Sequence, residues 1–501
     1  MGVMRFIFHP EKLLDGWPEV FRAYIGGMEG RVFPTRVEVD GNVLLCRRQS
    51  SESGKLHVSW PVAGSGRPTI NTTSLPERDE PYLLAVELAR GKISQLRDQV
   101  GAWEVAGMTI PDDFAPLHKD AYRQFSQSVA NLDNLARATE LANQAIEKAF
   151  AAGDLLAKAY TQQRLAARRQ RSHSLPASLG CNLGQALPDD AGTEHFCNAF
   201  NEAAVPIEWR HIEPVEGEYD WQLYDQQVEW CQQNKLLVTG GPLLDMSPGG
   251  LPEWLWQWEH DFHNLQSFVT NFVQTAISRY VGKIRNWEVS ARANTGGALA
   301  LSEENRLTLV ASTIEAARKV DEEVQLTIRV DQPWSEYLAR GQHRLNPLQF
   351  VDALARSGVG LSGINLEIAV GYRPRSTGSR DLLDFSQQID HWSNLGVPLH
   401  VTLAFPSSDE TDPELTSDLE VDAPQWKDGW SEMAQAEWVD QYVPILMAKQ
   451  TVVGIYWTHF TDQSPHFFPN AGLMRRDNTP KPALDRIIQY RRTYWKSDRE
   501  A

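Results

Sequence analysis

At 501 residues the chain is too long for one ordinary core, so two or more domains are expected. Lys and Arg number 48 against 65 Asp and Glu, a formal charge of −17. That balance disfavours nucleic acid or any other polyanionic partner and leaves a neutral ligand such as a carbohydrate unpenalised. The run from Met1 to Pro10 is too short for a signal-peptide core, and no segment has the apolar length of a membrane span. Cys46, Cys181, Cys197 and Cys231 are scattered without metal-ligand spacing. The expectation is a cytoplasmic protein with reduced thiols, no membrane contact, no metal and no cofactor.

Residues 1–80 read as strands. Arg31 to Cys46 alternates apolar and polar residues around Asp40-Gly41, a hairpin signal, and Lys55 to Val62 alternates again, so a small β-sandwich-like module is expected. Residues 81–175 switch to helical spacing. Tyr82, Leu83, Val86, Leu88, Ile93, Leu96 and Val100 mark one helix; after the break at Pro111-Asp112-Asp113, Val129, Leu132, Leu135, Leu141, Ile146 and Phe150 mark a longer one. Two long antiparallel helices fit, and the basic run Arg164 to Arg171 reads as a charged helix end. From 176 to 501, short apolar runs alternate with amphipathic segments, which fits a (β/α)8 barrel with its functional groups at the C-terminal strand ends. Periodicity alone leaves a doubly wound sheet open.

Several stretches choose between these. They are Ile212-Glu213-Pro214 through Trp221, Arg279 through Val289, Leu361 through Leu366, and Gly454-Ile455-Tyr456-Trp457 through Lys481-Pro482-Ala483. Phe200-Asn201, Trp209, Pro252-Glu253-Trp254, Gln435-Ala436, Asp462 and Gly472-Leu473 fall in register with them. Together they resemble glycoside hydrolase family 10, the xylanase family, over about 300 residues. The resemblance implies a TIM barrel and a lean towards carbohydrate.

The same resemblance implies a departure at the chemistry. A retaining glycosidase of this kind needs a carboxylic acid and a carboxylate nucleophile about 5 to 5.5 Å apart. Where the family's fourth strand ends in its acid, this chain has Trp287-Glu288-Val289-Ser290-Ala291-Arg292, and where its seventh strand carries the nucleophile, Leu403 stands. Arginine is no proton donor near neutral pH.

Other polar groups cluster at the expected strand ends. Glu367, Asp462, Asp331 and Glu208 are the candidate replacement carboxylates; Arg210, His211, Asp245, Arg292, Asn294, Arg329 and His459 are candidate ligand contacts, with Trp457 as an aromatic platform. An ion-pair filling of the mouth, Arg292 with Glu367 or Arg329 with Asp331, is the alternative. His211 and His459, lacking a carboxylate or histidine at ligand spacing, read as ordinary hydrogen-bonded histidines. The expected function is binding of an oligosaccharide or related polyhydroxylated ligand at the barrel mouth without xylanase chemistry. The rival is an active glycoside hydrolase built on Glu367 and Asp462.

Overall fold

A computed structural model describes residues 2–27, 30–172, 174–341 and 343–495. Residues 496–501, at the end of the expected barrel segment, lie outside the described residues. The N-terminal module holds two four-stranded sheets. Strands Arg36–Asp40 and Val43–Arg48 form the hairpin expected at Asp40-Gly41, with Gly41 at φ +57°, and strand Gly2–Ile7 pairs alongside. Lys55–Ser59 belongs to the second sheet. Phe8, Trp17 and Trp60 fill this module edge to face, and the Trp17 indole N–H donates to the Ser59 carbonyl at 2.7 Å.

The helical segment is three packed helices, not the expected pair of long antiparallel ones. Helix α1 spans Leu84–Val105, α2 Phe114–Val129 and α3 Leu135–Arg171. The stretch expected as one long helix is split into α2 and α3, which fold back and pack side by side. The chain stops at Ala130, and Asn134 restarts it by capping α3 with its side chain on the Arg137 N–H. Trp103 of α1 stacks on Tyr160 of α3 at 4.2 Å. Gly91 sits where α1 crosses the strand Thr69–Asn71: a Cβ there would lie 2.0 Å from the Asn71 carbonyl oxygen, so only glycine allows the approach.

Residues 178–457 form a closed barrel of eight parallel strands: Ser178–Asn182, Glu202–Val205, Leu237–Gly240, Asn286–Ala291, Gln325–Asp331, Gly363–Ala369, Leu399–Ala404 and Val452–Trp457. The last strand pairs with the first, and the third with the fourth, leaving no edge. Among the described residues no helix is long and apolar enough to cross a membrane.

The helical segment is anchored on the barrel. The basic end of α3 caps barrel elements: Arg168 donates to the carbonyls of Met447 and Lys449 at 2.7 and 2.9 Å, and Arg169 to that of Thr493. Lys92 of α1, 3% exposed, pairs with Asp381 at 2.7 Å, while Asp381 also caps the barrel helix Leu382–Ser393. Breaking a buried pair leaves one uncompensated charge. Lys92→Met should therefore lower unfolding stability by roughly 3–5 kcal/mol in a urea titration; a loss below about 1 kcal/mol would show that α1 does not hold the barrel through this contact.

Candidate functional site

Strand parity decides which side chains reach the mouth. In a parallel barrel, residues in register on neighbouring strands share a face. Asp331, Glu367, Thr402 and Tyr456 are in register and face inward; Ile368, Leu403 and Trp457 form the next row and face the surrounding helices. Two expectations are corrected by this. Leu403 does not line the mouth; the inward residue at the end of the seventh strand is Ala404, in a small apolar cluster with Ala369, Tyr372, Leu419, Phe468 and Ala471. Trp457 is no sugar platform either: it is 2% exposed, 6.4 Å from Trp438 on the outer helix Glu432–Ala448, and its indole N–H donates to the Ala471 carbonyl.

A chain of buried ions occupies the barrel axis. Arg292 donates through Nε and Nη2 to both oxygens of Glu367, at 2.8 and 2.7 Å, and through Nη1 to Asp245 at 2.7 Å. One layer down, Arg329 pairs with Glu288 at 2.7 Å and reaches Glu367 at 3.4 Å, not Asp331. Asn365 donates to Glu288 and accepts from the Thr402 hydroxyl, closing the chain across to the seventh strand. The Phe467 ring caps the Arg292 guanidinium at 4.0 Å. Arg292 holds φ +58°, a left-handed conformation that a β-carbon disfavours and that surrounding contacts must impose.

The rest of the mouth is closed by a second polar cluster. His459 and His466 stack at 4.3 Å; His466 contacts Asp412 at 2.8 Å, and Asp462 accepts from Lys481 and from the Gly472 N–H. His459, Asp462 and His466 have ligand atoms within 4.8 Å of one another, so the fold supplies the neighbours that sequence spacing did not place beside His459. They fit an ion poorly. Lys481 neutralises Asp462, and both His466 nitrogens already face oxygen atoms, of Asp412 and of the Ser464 carbonyl. Burial and the charge of His466 push His459 down to about 4, keeping it neutral, while Asp412 outweighs burial and holds His466 above its usual value.

The remaining candidates fall into two groups. Asn294 clamps the backbone of Asp331 through both amide atoms and is buried. Glu208, Arg210 and His211 sit together on the lip, Glu208 binding Arg210 at 3.1 Å and lying 3.5 Å from His211. What remains of the mouth between them, Arg292 and His466 is about 60 Å³, far below the roughly 300 Å³ at which ligand pockets begin. Neither Glu367 nor Asp462 presents a free carboxylate. Sequence reasoning missed His466, Phe467 and Asp412, which come from long loops with no periodicity to mark them.

Asp331 is the carboxyl at odds with its surroundings. Burial, followed by the charge of Glu367, raises it to about 6. The folded state thus holds a proton between about pH 4 and 6 that the unfolded chain has released, and the stability it brings is lost as pH rises through that window. His459, pushed down, acts oppositely between about pH 6.5 and 4. The difference between Asp331→Asn and the parent isolates Asp331: the variant should be more stable at pH 7 by roughly 1–3 kcal/mol, the gain vanishing by pH 4. A variant less stable at pH 7, with an unchanged pH profile, would contradict this.

The sequence pattern described as Glycosyl hydrolase family 10 matches residues 197–490. Among curated relatives, endo-1,4-beta-xylanase 3 of Hypocrea jecorina is 28% identical over 159 residues, 30% of this chain and 40% of the relative. Endo-1,4-beta-xylanase B of Thermotoga neapolitana is 23% identical over 200 residues, 39% of this chain and 55% of the relative. The chain thus spans about half or less of these relatives' lengths. The crystal structure of native xylanase 10B from Thermotoga maritima superposes with a TM-score of 0.48 at 18% identity, covering 64% of this chain and 96% of that one.

Proposed function

The chain belongs to glycosyl hydrolase family 10, and on that premise we propose that it binds an oligosaccharide or related polyhydroxylated ligand at the C-terminal face of its barrel without hydrolysing xylan by double displacement. The observation that carries this reading is Arg292. At the end of the fourth strand, where the resemblance places the acid, stands a permanently charged guanidinium held by Glu367 and Asp245. At the end of the seventh strand the inward residue is Ala404, which offers no nucleophile. Double displacement requires both groups, and loss of either costs orders of magnitude in rate. A reducing, cytoplasmic setting is part of the proposal, supported by the buried thiols Cys46, Cys181 and Cys231.

The alternative enzyme built on Glu367 and Asp462 is disfavoured by the same contacts. A catalytic carboxylate must exchange a proton or attack a carbon, and these four oxygens are occupied by Arg292, Lys481, His459 and the Gly472 N–H. The purified protein should release no reducing ends from xylohexaose above buffer over a day. Turnover that Glu367→Gln or Asp462→Asn abolishes would replace this reading with an altered mechanism.

A further inference from the structure

With the mouth filled, the ligand needs another opening on the same face. A cleft of about 700 Å³ lies between the N-terminal module and the barrel rim, within the usual size of a ligand site. Its floor comes from the loops after the fourth to seventh strands, where Thr295, Gln332, Ser376 and Gln425 lie; its roof comes from Tyr24, His57, Ser59 and Thr69 of the N-terminal sheets. This is the end of a barrel at which ligands bind.

The cleft is preformed. Backbone N–H groups of Thr35, Arg67 and Thr69 donate to the carbonyls of Ala339, Gln425 and Ser379 at 3.0, 2.7 and 2.7 Å, knitting roof to floor. In the floor, Gln332 holds φ +48°, and Ser335, behind it in the same short loop, holds +71°, two left-handed non-glycine residues. Such conformations cost energy and persist where the surroundings impose them, commonly at binding sites.

Its charge is balanced pair by pair except at one arginine. Arg380 binds Glu336 at 2.8 Å, Arg373 binds Glu420, Arg375 binds Asp418, and Arg22 binds Asp422 just behind the wall. Glu19 is partnered by Arg67 at 3.1 Å, and Arg340, which donates to the Phe21 carbonyl, has no carboxylate beside it among the described residues, so one positive charge is left over. Burial and Arg306 lower the pKa of His343, favouring its neutral form. Such a wall offers guanidinium donors and carboxylate acceptors side by side with little surplus charge to reward an anion. Sugar hydroxyls, each both donor and acceptor, match that alternation.

We propose that this cleft between the N-terminal module and the barrel rim is the ligand site, and that it takes a neutral oligosaccharide. The inference rests on the carbohydrate-binding reading and gives the N-terminal module its role, as the roof of the site. Calorimetric titration of the full chain with xylohexaose, cellohexaose and a hexamer of galacturonate tests it, using variants whose melting temperatures match the parent. A neutral hexasaccharide should bind, Ser376→Trp and the milder Arg375→Ala should each weaken it at least tenfold, and His211→Trp, on the lip of the mouth, should leave it unchanged. Weakening by His211→Trp with both cleft variants at parental affinity would overturn the inference while leaving the carbohydrate reading intact. Tighter binding of the galacturonate hexamer than of either neutral sugar would overturn the neutral class. No binding of any of the three would overturn both.

Discussion

The alternation of charge from Asp245 through Arg292, Glu367 and Arg329 to Glu288 is the constraint around which this barrel is arranged. TIM-barrel interiors are ordinarily filled by layers of branched apolar residues. Here the equivalent layers carry ions taken out of water at considerable cost, offset by carboxylates in ion-pair contact with both guanidiniums, hydrogen-bonded closely at Arg292 and more loosely at Arg329. Three carboxylates face two guanidiniums, and neutral groups serve the surplus oxygens: Asn365 on Glu288 and the Ser247 N–H on Asp245. Burial raises Glu288 all the same, whereas Arg292 and Ser247 together outweigh burial and hold Asp245 low. A network of this sort adds little net stability, yet no single member can be removed cheaply, and it fixes what stands at the mouth.

The residues that carry the family resemblance mostly brace the outside of the barrel. Glu213 accepts from the Trp209 indole and the Gly217 N–H, and its carbonyl accepts from Trp254. Gln435 donates to the carbonyls of Phe405 and Ala471, tying the helix Glu432–Ala448 to the loops leaving the seventh and eighth strands. Lys481 joins Asp462 to Ser407. These bonds hold strand ends and loops in place whatever the mouth contains. Scaffold and chemistry are therefore separable here, and a sequence that keeps the first need not keep the second.

The same separation explains what could be read from the sequence. Changes of period near residues 80 and 176 are local signals that separate the β-rich, helical and alternating segments, while the choice of a barrel over a doubly wound sheet rests on the family resemblance and the fold-back of α2 on α3 is a tertiary feature that the period does not mark. The pairing of Arg292 with Glu367 was open as filler because both sit at strand ends. Leu403 and Trp457 were misread for a different reason: inward and outward alternate with every residue, so an alignment slip of one position turns a lining group into a packing group. The stacked His459 and His466, and Asp412 beside them, are joined by loops whose course no periodicity encodes. The roofed cleft lies deeper still in tertiary structure, since its wall is drawn from segments far apart in the chain, such as those holding Arg22 and Glu420.

The claim on which this account turns is that Arg292 and Glu367 are mutual structural partners filling the mouth, not groups awaiting a substrate. A double-mutant cycle measures it directly: urea unfolding of Arg292→Met, Glu367→Leu and the double variant against the parent. Each single change strands a buried charge and should lose roughly 3–5 kcal/mol, whereas the double change strands only Asp245, which loses Arg292 in both backgrounds, and should lose less than the sum of the two by a coupling of at least about 1 kcal/mol. Additive losses, with coupling below about 0.5 kcal/mol, would contradict the account and return both residues to the list of groups available for catalysis.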